Sequence, residues 1–177
     1  MNTSLHLTAV AVFDDWRHAQ DALHQLLQDG FQTEDIGMLA RGGDHWVWDA
    51  SVERPYLFDA KPRQSAVGAY ADDLWKLRLS AGRLPEIGSV IAAGTLRIIF
   101  ELFTSNAVRK ALALNGVEKT DSLYLEDRFM AGRTLLVVES GSRYADAIDV
   151  LDRNGSRATM LTAVPEEAEH EQPHVVS

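Results

Sequence analysis

The chain has 177 residues, of which 46% are hydrophobic and 24% charged, so it can bury a core without disulfides or a structural metal. Its formal net charge of −9 repels phosphate backbones and argues against nucleic acid as a general partner. The absence of cysteine excludes disulfides, thiolate nucleophiles and cysteine-based zinc sites.

The first predicted element is a strand at Leu7 to Phe13, and no basic segment of a signal peptide precedes it. The most apolar later stretch, residues 84–103, carries charges that a membrane-spanning helix would not readily accommodate. These charged residues are Glu86, Arg97 and Glu101. We therefore expect a cytoplasmic protein without a membrane span.

Residues 6–40 form a predicted strand–helix–strand unit, and a constant offset of 125 residues aligns this unit with a second copy at 133–164. In each copy an apolar run precedes a helical apolar stripe and a glycine suited to a left-handed helix end. The identical pairs are Val12 with Val137, Asp21 with Asp146, Ala22 with Ala147, Leu26 with Leu151 and Gly30 with Gly155. Two such units predict a ferredoxin-like α+β fold: a duplicated βαβ with a four-stranded antiparallel sheet, both helices on one face and a large helical insert between the halves. The other face of the sheet then needs a cover from the insert or from a second subunit.

Short polar side chains stand at the predicted start of each repeated helix. Asp14 and Asp15 are the expected N-cap acceptors of the first helix, and Ser140 and Ser142 those of the second. The same carboxylates, with Glu139, would suit paired acid–base chemistry, but their position before helices favours capping.

A mainly helical insert is predicted at residues 41–132. Helical spacing indicates helices at Ala66 to Leu79, at 107–115 and at Asp121 to Ala131. Glycine and alanine in the stretch 82–103 indicate entry into a further helix. Residues 1–164 are thus expected to form a single α+β domain, and residues 165–177 an acidic disordered tail.

Three segments resemble the bacterial general stress proteins, the YflT-like, heat-induced stress protein family. They are AVAVFDDWRHAQDALHQLLQDGFQTEDIGMLAR, LPEIGSVIAAGTL and NGVEKTDSLYLEDRFMAGRTLLVVES. The resemblance implies ferredoxin-like halves and an association with stress, and it supplies no catalytic residue. The family's central glycine-zipper tract is largely replaced here, which favours a conventional helix packed against a partner. The replacing residues are Arg97, Ile98, Ile99, Phe100 and Phe103.

Two groups of residues are candidates for binding. Asp44, His45, Trp46 and Trp48 combine carboxylate, imidazole and aromatic groups, which would form a ligand pocket or support acid–base chemistry; alternatively, the tryptophans cover the sheet. A second group forms an apolar helical stripe that would pack in the core, in a dimer or in a groove for a partner: Leu96, Ile99, Phe100 and Phe103.

The histidines do not predict a metal site. His18 and His24 are six residues apart and lie on different faces of the first helix, and His170 and His174 belong to the acidic tail. We expect no metal and no cofactor.

These features favour a non-enzymatic, stress-associated binding or scaffold protein that self-associates into a homo-oligomer and has a possible protein partner. One alternative is a ferredoxin-like small-molecule sensor or small enzyme with a pocket around His45, Trp46 and Trp48. Another is a client or cargo of a larger assembly that is recognised through the acidic tail.

Overall fold

The computed structural model describes residues 5–41, 46–49, 54–57, 76–102, 104 and 106–165. Its strands are β1 (Leu5–Phe13), β2 (Ile36–Arg41), β3 (Trp46–Asp49), β4 (Arg54–Leu57), β5 (Ser80–Leu84), β6 (Gly88–Gly94), β7 (Thr134–Glu139) and β8 (Ala158–Pro165). Its α-helices are α1 (Trp16–Gln28), α2 (Ala107–Leu114), α3 (Lys119–Met130) and α4 (Tyr144–Arg153). Short 3₁₀ helices lie at Thr33–Asp35, Thr95–Glu101 and Gly141–Arg143.

A six-stranded antiparallel sheet has the order β5-β6-β2-β7-β1-β8, and β3 pairs with β4 in a separate two-stranded sheet. The two repeated units interleave, because β7 lies between β1 and β2, and β1 lies between β7 and β8. The predicted α+β class is confirmed, whereas the predicted count of four strands is wrong. The two additional strands come from the insert, where β6 pairs with β2 and β5 pairs with β6.

The segment predicted to enter a helix at residues 88–94 is strand β6. Its apolar residues alternate between the two faces of the sheet: Val90 and Ala92 join one core, and Ile91 and Ala93 join the other. A strand that is buried on both faces has a continuous apolar sequence, so its period of two is hidden. Within the described part of the insert, residues 88–94 are therefore a strand, whereas the helices predicted at 107–115 and 121–131 are confirmed as α2 and α3. Residues 66–75 of the helix predicted at 66–79 lie outside the described residues.

Helices α1 and α4 cover the first face of the sheet. Leu23 and Leu26 of α1 and Leu151 of α4 are fully buried with Phe13 of β1 in one cluster. Burying a side chain of this size contributes roughly 1.5–3 kcal/mol relative to leaving it in water. The packing confirms the expectation that both repeated helices lie on one face.

The insert covers the second face. Leu112 of α2, Leu125 and Phe129 of α3 and Ile99 of the 3₁₀ helix form a separate buried cluster with Val10 of β1. The sequence predicted that this face would be covered by the insert or by a second subunit. The insert covers it within the same chain.

The repeated helices end alike but begin differently. Gly30 and Gly155 have φ of +92° and +84°, as predicted for left-handed helix ends. Asp15 caps α1 by accepting a hydrogen bond from the Arg17 amide at 2.9 Å. The predicted serine cap of α4 is wrong: the Ser140 hydroxyl donates to the Leu7 carbonyl at 3.0 Å, and α4 starts after a 3₁₀ turn.

Asp14 links three adjacent strands rather than capping a helix. Its carboxylate follows β1 and pairs with Arg133, which precedes β7, and with Arg157, which precedes β8. The hydrogen bond from Arg157 is the main reason that the pKa of Asp14 is held below its ordinary value. This end of the sheet is therefore stabilised by charges that are paired within the chain.

Gly94 is the last residue of β6 and lies at the end of the sheet opposite to Asp14. It holds the end of β6 against β2. Its φ of +62° and ψ of −136° belong to a region that side chains avoid, and a Cβ there would lie 2.0 Å from the Ile36 carbonyl oxygen. The Gly94 amide also donates to the Leu77 carbonyl at 2.6 Å. The chain can thus pass directly from β6 into the 3₁₀ helix only with glycine at this position.

We expect Gly94→Ala to lower the free energy of unfolding by about 3 kcal/mol, because it adds a backbone clash to the strain of a positive φ. Gly132→Ala is the matched control, since Gly132 has a φ of +94° and nothing within 4 Å of an added Cβ. The control should lose only about 1 kcal/mol. Urea unfolding of both variants measures this difference, and equal losses would contradict the assigned contact.

Candidate ligand-binding site

Two clefts open at the end of the sheet where β2 begins and where β6 and β7 end. The asparagine cleft, of about 550 Å³, is lined by Thr8, Thr95, Ile98, Leu114, Asn115, Gly116 and Glu139. The arginine cleft, of about 600 Å³, is lined by Thr33, Glu34, Lys76, Leu77, Arg78, Gly94, Thr95 and Arg97. Thr95, the first residue of its 3₁₀ helix, lines both clefts.

Hydrogen bonds hold the floor of the asparagine cleft in place. The buried Thr8 hydroxyl donates to the Asn115 carbonyl at 3.1 Å. The Asn115 side-chain amide donates to the carbonyls of Ala111 at 2.7 Å and of Thr95 at 3.3 Å. Asn115 thereby ties the end of α2 to the 3₁₀ helix. Leu114, which is 63% exposed, adds apolar surface beside these polar groups.

The Thr95 hydroxyl is the least satisfied group at this site. Its Oγ1 is buried and has no hydrogen-bond partner among the described residues. It lies over the backbone of β2, where a Cβ on Gly37 would come within 2.4 Å of it. A buried hydroxyl without a partner costs roughly 1–3 kcal/mol. The protein therefore carries an unfavourable group in the residue that lines both clefts.

Cationic side chains and a strained turn form the arginine cleft. Arg78 has a φ of +57°, and this left-handed conformation costs a residue with a side chain roughly 1–2 kcal/mol. The preceding Leu77 is only 2% exposed, and its carbonyl accepts the hydrogen bond from Gly94, which holds the turn in place. Arg97 is oriented by its Nε, which donates to the Ser80 hydroxyl at 2.9 Å.

Carboxyl groups stand at the same end of the sheet. Asp35 is half-buried just before β2, and burial is the main reason that its pKa is raised above the usual 3.8. The negative charges of Glu139 and Glu34 raise the pKa further. The carboxyl of Asp35 therefore takes up a proton more readily than an isolated aspartate.

The first group of candidate residues from the sequence is described only in part. Asp44 and His45 are outside the described residues, whereas Trp46 and Trp48 lie on β3 in the two-stranded sheet.

The predicted apolar stripe does not form a continuous surface in the described structure. Leu96 and Ile99 are fully buried in the second core, and Phe100 is partly buried against it. Phe103 is outside the described residues. Leu96 and Ile99 thus pack within their own chain.

The sequence does not indicate these clefts, because their lining residues are far apart in the chain. Thr8 and Asn115 are 107 residues apart, and no motif relates them. The available signals were the adjacent pairs Gly94–Thr95 and Asn115–Gly116, which mark the ends of elements.

Among the residues that the structure describes, no group of three or more histidine and acidic side chains is arranged to hold a metal ion. No helix within the described ranges combines the length and apolarity needed to cross a bilayer. Comparisons with protein-family models, with curated proteins and with solved structures give no match.

Asp35→Asn should raise the free energy of unfolding at pH 7. Because the folded-state pKa of Asp35 is raised, the ionised carboxylate opposes folding above that pKa, and acidification relieves this cost. The advantage of the variant should therefore shrink as the pH falls through the folded-state pKa and disappear below 3.8, where both states of the wild-type protein are protonated. Urea unfolding as a function of pH measures the difference.

Glu34→Gln provides the companion measurement, because it removes one of the charges that raise the pKa of Asp35. In this variant the carboxyl ¹³C titration of Asp35 should move to lower pH than in the wild-type protein. A wild-type titration midpoint at or below 3.8 would contradict the assigned environment.

Proposed function

We propose that this chain is a cytoplasmic, stress-associated, non-enzymatic binding protein that takes a small ligand where the asparagine and arginine clefts meet. Thr95, which lines both clefts and whose buried hydroxyl lacks a partner among the described residues, carries this proposal. The resemblance to the bacterial general stress proteins is the source of the stress association. The interleaved order β2-β7-β1-β8 supports a ferredoxin-like core that β5 and β6 extend.

The groups around Thr95 suit recognition of a small molecule. Hydroxyl, amide and carboxyl groups fix the orientation of a ligand, and Ile98 and Leu114 offer apolar contact. A ligand that bonds to the Thr95 hydroxyl would satisfy the group whose burial is otherwise unfavourable. Retaining such a group at a cost in stability is the usual compromise between stability and binding.

Thr95→Val tests this compromise directly. Without ligand, the variant should gain about 1 kcal/mol in the free energy of unfolding, because it removes a buried hydroxyl without a partner. Thr8→Val, the matched control, should lose about 1 kcal/mol, because the Asn115 carbonyl loses its hydrogen bond. A ligand-observed NMR screen of small acids, amines and neutral polar compounds should give hits that bind Thr95→Val at least tenfold more weakly.

Thr134→Val is the control for binding, since Thr134 lies at the other end of the sheet beside Asp14 and Arg41. Its affinity for the same compounds should equal that of the wild-type protein. The proposal would be rejected if no compound in the screen bound, or if Thr95→Val bound the hits as tightly as the wild-type protein.

Self-association is a second candidate function, favoured by the outer face of α3. This face presents Leu123, Tyr124 and Met130, which are 45%, 40% and 39% exposed. By contrast, α1 exposes no large apolar side chain to this degree. We propose that α3 packs against a second copy of the chain, since such surfaces are typical of protein contacts.

Sedimentation velocity over a range of concentrations tests this contact. The wild-type protein should form a dimer as the concentration rises, and the double variant Leu123→Glu, Met130→Glu should stay monomeric because it places charge on the contact. Leu161→Glu on β8, a residue that is 38% exposed, should dimerise like the wild-type protein. A wild-type protein that remained monomeric throughout would refute this second candidate.

The other interpretations remain predictions. The pocket around His45, Trp46 and Trp48 and recognition through the acidic tail both depend on side chains outside the described part of the chain.

A further inference from the structure

We infer that the arginine cleft is an oxyanion subsite, in which Arg78 and Arg97 bind the carboxylate or phosphate group of a small organic anion. The inference rests on the proposed ligand site at Thr95 and names the chemical class of its ligand. Guanidinium groups suit this role because they offer paired N–H donors that match the oxygen spacing of carboxylates and phosphates.

Arg78 differs from most of the arginines in the described ranges in the pairing of its guanidinium. The guanidinium groups of Arg133 and Arg157 pair with Asp14, and that of Arg109 pairs with Glu126 at 3.1 Å. Among the described residues, by contrast, no hydrogen bond or ion pair involves the guanidinium of Arg78. A guanidinium that lacks a partner in the described part of the chain and lies beside a cleft of about 600 Å³ is a group that a ligand can engage.

The backbone that carries Arg78 is held in an unfavourable conformation by its surroundings. Leu77 is anchored in the first core, and its carbonyl accepts a hydrogen bond from Gly94. Arg78 must then adopt its positive φ to continue the turn. Strain of this kind is typical of residues whose position matters for binding.

Arg97 approaches the same cleft from the 3₁₀ helix. Its Nε donates to the Ser80 hydroxyl, which fixes the plane of the guanidinium. The two terminal nitrogens have no hydrogen-bond partner among the described residues and are available to an oxyanion. Lys76 adds a positive charge to the lining, and Glu34 is the single acidic side chain among the described lining residues.

The size of the site indicates an organic anion rather than an inorganic ion. A single oxyanion would fill a small part of the arginine cleft, and the adjoining asparagine cleft begins at Thr95. The body of the ligand would therefore extend past the Thr95 hydroxyl towards Ile98 and Leu114. The ligand thus combines one oxyanion with a compact apolar part.

Four probes with a common ring separate the role of charge from that of shape: benzoate, phenyl phosphate, benzylamine and benzyl alcohol. Each is titrated into ¹⁵N-labelled protein at constant ionic strength. Benzoate or phenyl phosphate should shift the amide signals of Leu77, Arg78 and Thr95, and benzylamine and benzyl alcohol should bind at least tenfold more weakly. Tighter binding of phenyl phosphate identifies a phosphate ligand, and tighter binding of benzoate identifies a carboxylate ligand.

Arg78→Gln and Arg97→Gln should each weaken binding of the preferred anion at least tenfold. Amide signals away from the substituted residue should remain unchanged. Arg83→Gln is the matched control, because Arg83 is an exposed arginine of β5 that does not line either cleft, and it should bind like the wild-type protein. Equal affinity of the control and the two cleft variants would overturn the inference, as would a failure of both anions to shift the three amides.

The two proposals fail in distinguishable ways. If benzyl alcohol bound as tightly as the anions and Thr95→Val weakened it, the ligand site would stand and the oxyanion subsite would be wrong. If the anions bound through Arg78 and Arg97 with the same affinity in Thr95→Val, the subsite would stand and the role of Thr95 would be wrong.

Discussion

The burial of both faces of the central strands is the constraint on which the rest of this structure depends. In β1, Ala11 and Phe13 face one core, and Val10 and Val12 face the other. The repeated helices can cover only the first face, so the insert must bring α2, α3 and a 3₁₀ helix to the second. This requirement carries the chain past Gly94 into Thr95 and places the end of α2 at the end of the sheet where β1 begins. The two clefts are a consequence of that route.

The sequence predicted the parts of the fold that depend on local signals. The helical stripes, the Asp15 cap and the glycines after α1 and α4 each act within a few residues of one another, so the pattern is visible in the chain. The sequence failed at β6, because burial on both faces removes the alternation that identifies a strand. It also failed at Ser140, whose hydroxyl bonds to Leu7, a residue 133 positions away.

The candidate site was beyond prediction for the same reason. Asn115 bonds to the Thr95 carbonyl across 20 residues and accepts from Thr8 across 107 residues. The charge of Arg78 was visible in the sequence, but its lack of a partner among the residues that the structure describes was not. What distinguishes this end of the sheet is a set of contacts and missing contacts that only the three-dimensional arrangement defines.

The two ends of the sheet use charge and strain in opposite ways. At one end, Asp14 lies between Arg133 and Arg157, and its charge is satisfied within the chain. At the other end three unfavourable features occur together: the positive φ of Arg78, the buried hydroxyl of Thr95 and the raised pKa of Asp35. Local departures of this kind concentrate where a protein serves a function other than its own stability. A ligand that bonded to the hydroxyl would relieve one of these features and would also pair with the Arg78 guanidinium, which has no partner among the described residues, so the cost of this end is itself an argument for binding there.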